Sequence, residues 1–409
     1  MVQGSYGSRH RTELMAVRKV VHIITRLDQG GSARNTMLTV LGHDRTRFEP
    51  VVVTGESGTW NEQGGLTATM ENLLFLEKEG IRYRMVPSMV RHISPKADLA
   101  ALWKLIVLLR QEQPHVVHTH TSKAGVLGRL AARITGVPMI VHTPHGHVFY
   151  GHFGSISSWI FLQIERALAW MTDELIALTS AEKTEHLERG IGCTDRFAVI
   201  PSGIDIDRFK QARTVGKVMP EWFDCPPDAT VVGSVGWLTE IKGHRFLVDA
   251  VAQLKQEHPH LHLVILGSGN QHAALLHQAN QAGISQAVHL VGHREDVELA
   301  LAGMDCFVLP SLNEGMGRAL VEAMAAGLPV IAGRVGGIPA LIEDEKNGLL
   351  VPAGDSHALA AALRRILSDP PWACTLGLNA MRSIGTSYGV PAMVRAIESI
   401  YRGGAVGHA

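Results

Sequence analysis

Short apolar runs and longer stretches of helical periodicity alternate along the chain. Residues 19–25, 50–54, 115–119, 139–142, 174–178 and 197–201 are rich in Val and Ile. Polar or Gly-containing turns bound them, so each predicts a strand. Between them the period lengthens to that of a helix: from about residue 33, after the loop Asp28-Gln29-Gly30-Gly31-Ser32, and across 100–111, 125–136 and 157–172. The pattern breaks over the polar residues 206–229, which contain Pro220, Pro226 and Pro227. It restarts with strands at 230–235, 262–266, 287–291, 306–309 and 329–332. Such alternation predicts a parallel sheet with helices on both faces. Its restart predicts two doubly wound, Rossmann-like α/β domains, 19–205 and 206–389, facing across a cleft. A last helical stretch within 390–409 has no strand after it and is expected to pack back on the first domain. Residues 1–18 read as a polar leader, with Met15 as an alternative start. Ligands of such sheets sit beyond the carboxyl ends of the strands, so the loops that follow strands are where chemistry is sought.

The length of 409 residues fits two or three domains. A hydrophobic content of 46% with 19% charged residues excludes wholesale disorder. Lys and Arg number 38 against 38 Asp and Glu, so the basic excess of a dedicated nucleic-acid binder is missing. The balance is uneven: residues 1–205 hold three more basic than acidic residues and residues 206–409 three fewer, which favours an anionic contact for the first half. Cys193, Cys225, Cys306 and Cys374 show no CxxC spacing, which argues against a zinc ribbon or a disulfide framework and for a reducing, cytoplasmic setting. The first eighteen residues lack the apolar segment of a signal peptide. No uncharged apolar run reaches about 18 residues, and the longest, 99–109, is interrupted by Lys104. A membrane-spanning protein is not expected.

The richest stretch is 310–329, PSLNEGMGRALVEAMAAGLP, which follows a strand and opens a helix. Glu314 stands at the helix mouth. Gly315 and Gly317, around Met316, let backbone N–H groups come close to a ligand, and a helix N-terminus favours a diphosphate. Glu322 lies eight residues after Glu314, about 12 Å at ~1.5 Å per helical residue. That is the scale of a nucleotide sugar from its sugar to its ribose.

This Glu-x7-Glu block, with Ala325-Ala-Gly-Leu-Pro-Val330 and Gly336-Gly-Ile-Pro339, resembles the retaining group 1 glycosyltransferases of the GT-B fold. Gly30-Gly31, Pro201-Ser-Gly-Ile-Asp205 with Phe209, Lys242-Gly243 and Asn347-Gly-Leu-Leu-Val-Pro352 also fit, so the likeness spans about 19–400. It implies donor-sugar contacts from Glu314, ribose contacts from Glu322, and a diphosphate held by the Gly31 N–H and Lys242. It implies base contact through the backbone of Arg294. The family's Arg after the first strand of the second domain is here Trp237, and Arg318 is the candidate to replace its charge. Thr143-Pro-His145 resembles the family's Thr-x-His, whose His faces the donor sugar; His147 is the second choice.

His118, His120, His142, His145, His147 and His152 also invite a metal reading, but no carboxylate–His set with ligand spacing accompanies them. The resemblance implies neither metal nor cofactor. Gly267-Ser-Gly269 lacks the third Gly of a dinucleotide fingerprint and reads as a tight turn, and no phosphate-loop motif of the GxxxxGK type exists. Trp103, Trp159, Phe161 and Trp170 fall at helical spacings that usually mean core, with a membrane-facing surface as the alternative.

The expected activity is metal-independent, retaining hexosyl transfer from a nucleotide sugar, UDP-linked by preference, to a saccharide or lipid-linked acceptor hydroxyl. Bacterial polysaccharide or glycoconjugate synthesis is the expected setting, with peripheral contact at the inner membrane face. A sugar-nucleotide 2-epimerase on the same fold, a non-catalytic sugar-nucleotide binder and a zinc hydrolase stand as alternatives.

Overall fold

The computed structural model describes residues 17–55, 67–146, 155–212 and 216–403. The chain divides into two compact units. The first runs to Leu178 and adds Lys183–Ile200 and the segment from Val390; the second comprises Thr179–Glu182 and Pro201–Gly389. The first unit holds a parallel sheet of β1 (Arg18–Ile24), β2 (Phe48–Thr54), β3 (Arg82–Met85), β4 (Val116–His120), β5 (Met139–Thr143), β6 (Glu174–Ala177) and β7 (Phe197–Val199) in the order β3-β2-β1-β4-β5-β6-β7. The second holds β8 (Thr230–Val235), β9 (Leu261–Leu266), β10 (Val288–Leu290), β11 (Cys306–Leu309), β12 (Val330–Gly333) and β13 (Leu349–Val351), also parallel, in the order β10-β9-β8-β11-β12-β13.

Central strands of both sheets are buried along their length, as in β4, β9 and β11. A parallel sheet covered on both faces demands such continuous runs rather than alternation. The edge strand β3 reads Arg-Tyr-Arg-Met and alternates exposed and half-buried residues, so it gave no apolar signal.

In the first unit, α1 (Gly31–Gly42) follows β1, α2 (Pro95–Glu112) precedes β4, α3 (Ser122–Thr135) joins β4 to β5, and α4 (Ser155–Trp170) precedes β6. Pro95 at the first turn starts α2 five residues before the expected 100, because Pro is preorganised there. The C-terminal helix Val390–Tyr401 belongs to this unit. Its Met393, Val394, Ile397, Ile400 and Tyr401 share a core with Val20, Phe48, Val116 and Ile176, a spacing that puts one apolar stripe on the sheet.

The aromatic stripe is not core. Trp103, Trp159 and Trp170 are 65%, 62% and 82% exposed, with Leu99 on the same helix as Trp103 also exposed. In α2 the buried stripe is Ala101, Leu105 and Leu109 instead, which turns Leu99 and Trp103 outward. Both Trp-bearing helices pack on α3.

In the second unit α5 (His244–Leu254) follows β8 and α6 (Arg318–Ala325) follows β11.

Candidate active site

The loop from Pro310 to Gly317, at the carboxyl end of β11, is held by three neighbours. Leu312 N–H donates to the Ile241 carbonyl at 2.8 Å, and Gly337 N–H reaches the Glu314 and Gly315 carbonyls at 3.3 and 3.1 Å. Met316 is buried, its Sδ 3.3 Å from the Ser202 N–H. Gly336 has φ +49°, and a Cβ there would stand 1.9 Å from the Glu314 carbonyl oxygen. Only glycine lets the two loops meet.

On this fixed backbone Glu314 Oε1 accepts from Lys242 Nζ at 2.6 Å and from Ser311 Oγ at 2.8 Å. The carboxylate side chain is 10% and the Lys242 side chain 24% exposed, so parting the two without a replacement charge is costly. Lys242 is therefore a cation already committed to Glu314. Gly317, at φ +74°, ends the loop, and α6 begins at Arg318. Arg318 Nε donates to Glu322 Oε1 at 2.8 Å within the helix, while its buried Nη1 has no hydrogen-bond partner among the described residues. A buried N–H left unpaired costs about 1–3 kcal/mol, and an anion would relieve it. The helical estimate of about 12 Å between the two glutamates does not apply, because Glu314 lies in the loop and only 318–322 is helical.

After β8 the chain passes Gly236, the 39% exposed Trp237, and a short turn Glu240–Lys242 before α5. His244, the first residue of α5, was not singled out from the sequence. It is buried, burial and then Lys242 push its pKa down to about 4, and its Nδ1 has no partner among the described residues. The Lys242-Gly243-His244 order at the end of the loop after β8 was the available signal. The Gly267-Ser-Gly269 turn ties loops together: Gly267 N–H donates to the Gly292 carbonyl at 2.8 Å, and Leu238 N–H to the Ser268 carbonyl at 3.0 Å. With φ +147° and Gly236 O 1.9 Å from any Cβ, Gly267 serves this contact. Arg294 grips Asp296 at 2.7 and 2.8 Å and lies 4.0 Å over the Trp222 ring. Its side chain is thus occupied and only its backbone is left to a base.

In the first unit Gly31 is the first residue of α1, with open space around its Cα. His145 sits just past β5 at φ +60°, a region that a non-glycine residue occupies at a cost of ~1–3 kcal/mol and that clusters at functional sites. His147 and His152 lie outside the described residues. Burial pushes the His145 pKa down to about 3, and holds His22, His118, His120 and His142 well below the ordinary imidazole value. The donor atoms of His22, His118 and His120 lie within 4.8 Å of one another, the spacing of a metal triad. Each of their ring nitrogens already has a partner, however. His22 meets His120 and His43, His118 meets Tyr401 and Thr143, and His120 meets His22 and His145. An ion there would take one nitrogen from each ring and displace the contact that nitrogen makes. Cys225, His262 and His289 form a second grouping in the other unit; its imidazoles bond each other at 3.0 Å, and burial raises its thiol to about 11. A pocket of about 480 Å³ lined by Arg334, Glu343, Asp344, Asn347 and Tyr388 contains none of the expected site residues.

The chain matches two family profiles: residues 30–203 that of the glycosyl transferase 4-like domain, and residues 228–369 that of the glycosyl transferases group 1. A UDP-Gal:alpha-D-GlcNAc-diphosphoundecaprenol alpha-1,3-galactosyltransferase of Escherichia coli is 30% identical over 79% of this chain and 84% of its own length. A capsular polysaccharide biosynthesis glycosyltransferase, CapM of Staphylococcus aureus, is 24% identical over 76% of this chain and 83% of its own. The crystal structure of Anabaena HepE with UDP and glucose superposes with a TM-score of 0.78 at 22% identity, over 94% of this chain and all of that one.

Proposed function

Because the chain belongs to the group 1 glycosyltransferases, we propose that it transfers a hexose from a UDP-sugar to a lipid-linked saccharide acceptor, with retention of anomeric configuration and without a metal. The observation that carries this reading is the Lys242–Glu314 pair on a loop braced by Gly336 and Gly337, next to the half-paired Arg318. A diphosphate would draw Lys242 away from Glu314 and give Arg318 Nη1 its missing acceptor, taking the place of the charge absent at Trp237. Released from Lys242, the Glu314 carboxylate is free to accept from sugar hydroxyls beside the anomeric carbon. Glu322 would take the ribose hydroxyls, the Gly31 N–H the diphosphate, and His145 the donor sugar. Stabilisation of the departing diphosphate by cations and the α6 N-terminus would supply the rate. Front-side attack, with the leaving phosphate taking the acceptor proton, needs no protein nucleophile.

Metal independence belongs to this reading because the charges at the loop that would meet a diphosphate include the cations Lys242 and Arg318, each paired with a carboxylate. The lipid-linked acceptor rests on the acceptor named for the E. coli relative, on the exposed Leu99 and Trp103 of α2, a helix that also carries exposed Lys96, Lys104 and Arg110, and on the exposed Trp159 and Trp170 of α4. Exposed apolar and basic residues of this kind suit the headgroup region of an anionic inner leaflet. No helix among the described residues is long and apolar enough to cross a membrane. A thermal-shift panel of UDP-, GDP- and ADP-sugars, each with and without EDTA, tests the donor assignment. Stabilisation by UDP-sugars that survives EDTA is expected; stabilisation only by another nucleotide, or only with added Mn²⁺, contradicts it.

A further inference from the structure

In the first unit a continuous chain of ring-to-ring hydrogen bonds leads away from His145 through residues that the proposed chemistry does not use. His145 Nε2 meets His120 Nδ1 at 3.0 Å, His120 Nε2 meets His22 Nδ1 at 3.1 Å, and His22 Nε2 meets His43 Nε2 at 3.2 Å. The chain ends where His43 Nδ1 meets Glu398 Oε1 at 3.2 Å, and that oxygen also accepts the Asp44 N–H at 2.8 Å. His22, His43, His120 and Glu398 are all buried. The His22 and His120 ring centroids lie 5.4 Å apart with 13° between planes, and those of His120 and His145 5.2 Å apart with 28°, so the rings meet edge to edge and near-coplanar, as in-plane N–H···N bonds require.

Such a chain has only one free choice. A neutral imidazole has one N–H and one lone pair, and each N···N contact holds one proton. Fixing the proton in one contact therefore fixes it in all. Glu398 makes the choice. Although burial raises its pKa, the His43 contact and the Asp44 N–H outweigh this and hold it below the ordinary carboxylate value, so it is an ion and can only accept. His43 then carries its proton on Nδ1 and accepts at Nε2. His22 donates from Nε2, His120 donates from Nε2, and His145 donates from Nε2 to His120.

We infer that Glu398, acting through His43, His22 and His120, is a positioning residue that locks His145 as the Nε2–H tautomer with its lone pair on Nδ1. His145 then offers the donor sugar an acceptor, which suits a hydroxyl and repels a sugar carboxylate. The consequence for substrate choice rests on the placement of His145 at the donor sugar; the tautomer itself does not.

The test is two-bond ¹H–¹⁵N correlation on the full-length protein labelled at its histidine rings, at pH 8, with the His145 signals assigned by their loss in His145→Gln. The wild type is expected to show a pyridine-like Nδ1 and a pyrrole-like Nε2 at His145. Glu398→Gln, whose amide oxygen still accepts, should keep that pattern. Glu398→Leu should change the His145 pattern, toward Nδ1–H or a mixture. His43→Phe, which keeps a ring in the pocket and leaves the Asp44–Glu398 contact intact, should do the same and serves if the Leu variant does not fold. An Nδ1–H tautomer in the wild type, or a pattern unchanged in the folded relay-cut variants, overturns the inference. Steady-state transfer separates the two claims. If the tautomer is as stated but His145→Gln leaves kcat and KM for the donor unchanged, the relay stands and the placement of His145 at the sugar falls. If both hold, His43→Phe should lower kcat severalfold with a smaller change in KM, and should narrow the preference for a UDP-hexose over a UDP-hexuronic acid.

Discussion

The two sheets place their polar groups in opposite ways. In the first unit the strands themselves carry them: His22 on β1, His118 and His120 on β4 and His142 on β5 are buried, bonded to other histidines or to Thr and Tyr partners. In the second unit β8, β9 and β11 are almost wholly apolar at their centres, and Lys242, Glu314, Arg318 and Glu322 stand on the loops and the helix beyond them. A buried polar network is all-or-none, because each partner lost leaves another unsatisfied. A loop site over an apolar sheet can exchange partners, as the proposed diphosphate binding asks of Lys242. One unit is therefore rigid by polar satisfaction, the other adaptable by charge.

The largest expected effect breaks this contrast with acid. An imidazole kept neutral by burial has a folded pKa below its unfolded value, so the unfolded chain takes up the proton first. Stability then rises with pH, is fully present above about 6.5, and falls by ~1.4 kcal/mol per pH unit per group below it, until the folded pKa is reached. For His145 that window runs down to about 3, and burial places His22, His118, His120 and His142 in the same regime. The second unit has fewer such groups, His244 and His262 at about 4 and His289 lowered. Peptide-resolved hydrogen exchange at pH 7.5 and pH 5, corrected for intrinsic rates, should show the first unit opening first on acidification. Earlier opening of the second unit contradicts the contrast.

Next in size is Glu314→Gln, which keeps shape and removes charge. A hydrogen bond to a charged group is worth roughly 1.5–3 kcal/mol, so kcat should fall about ten- to a hundredfold. Glu322→Gln should instead raise the donor KM and leave kcat nearly intact, because a ribose contact is equal in ground and transition states. Equal effects of the two substitutions on kcat would erase the distinction between them. Arg318→Ala should behave as the loss of a phosphate cation, and Trp237→Arg in that background should restore part of the activity; a kinetically silent Arg318→Ala returns it to a helix-surface ion pair with Glu322. Smallest is the membrane effect. Trp103→Ser with Trp170→Ser should weaken flotation with anionic vesicles, and binding should drop with salt; flotation that the substitutions leave unchanged assigns it to another surface.

Both sheets were legible because parallel, doubly covered strands leave unmistakable apolar runs. What escaped was short or polar: β3, with two Arg in four residues, and β13, whose Leu349–Val351 sat inside a loop motif. The Glu314 loop was legible from its Gly and Glu spacing, but its pairing with Lys242, 72 residues earlier, depends on β8 lying beside β11. The histidine chain was illegible for the same reason. His22 and His118 are register partners on adjacent strands, and His43 and Glu398 join them from distant segments. The exposed Trp residues were misjudged because helical spacing reveals a stripe but not which stripe faces the sheet.

The central claim is retaining transfer of hexose from a UDP-sugar by the charged loops of the second unit without metal. It is tested most directly by ¹H NMR of the product formed from an α-linked UDP-hexose in excess EDTA, using a soluble analogue of a lipid-diphosphate saccharide as acceptor. The account predicts an α-linked product formed at the same rate with and without the chelator. A β-linked product, or activity abolished by EDTA and restored by Mn²⁺, would contradict it.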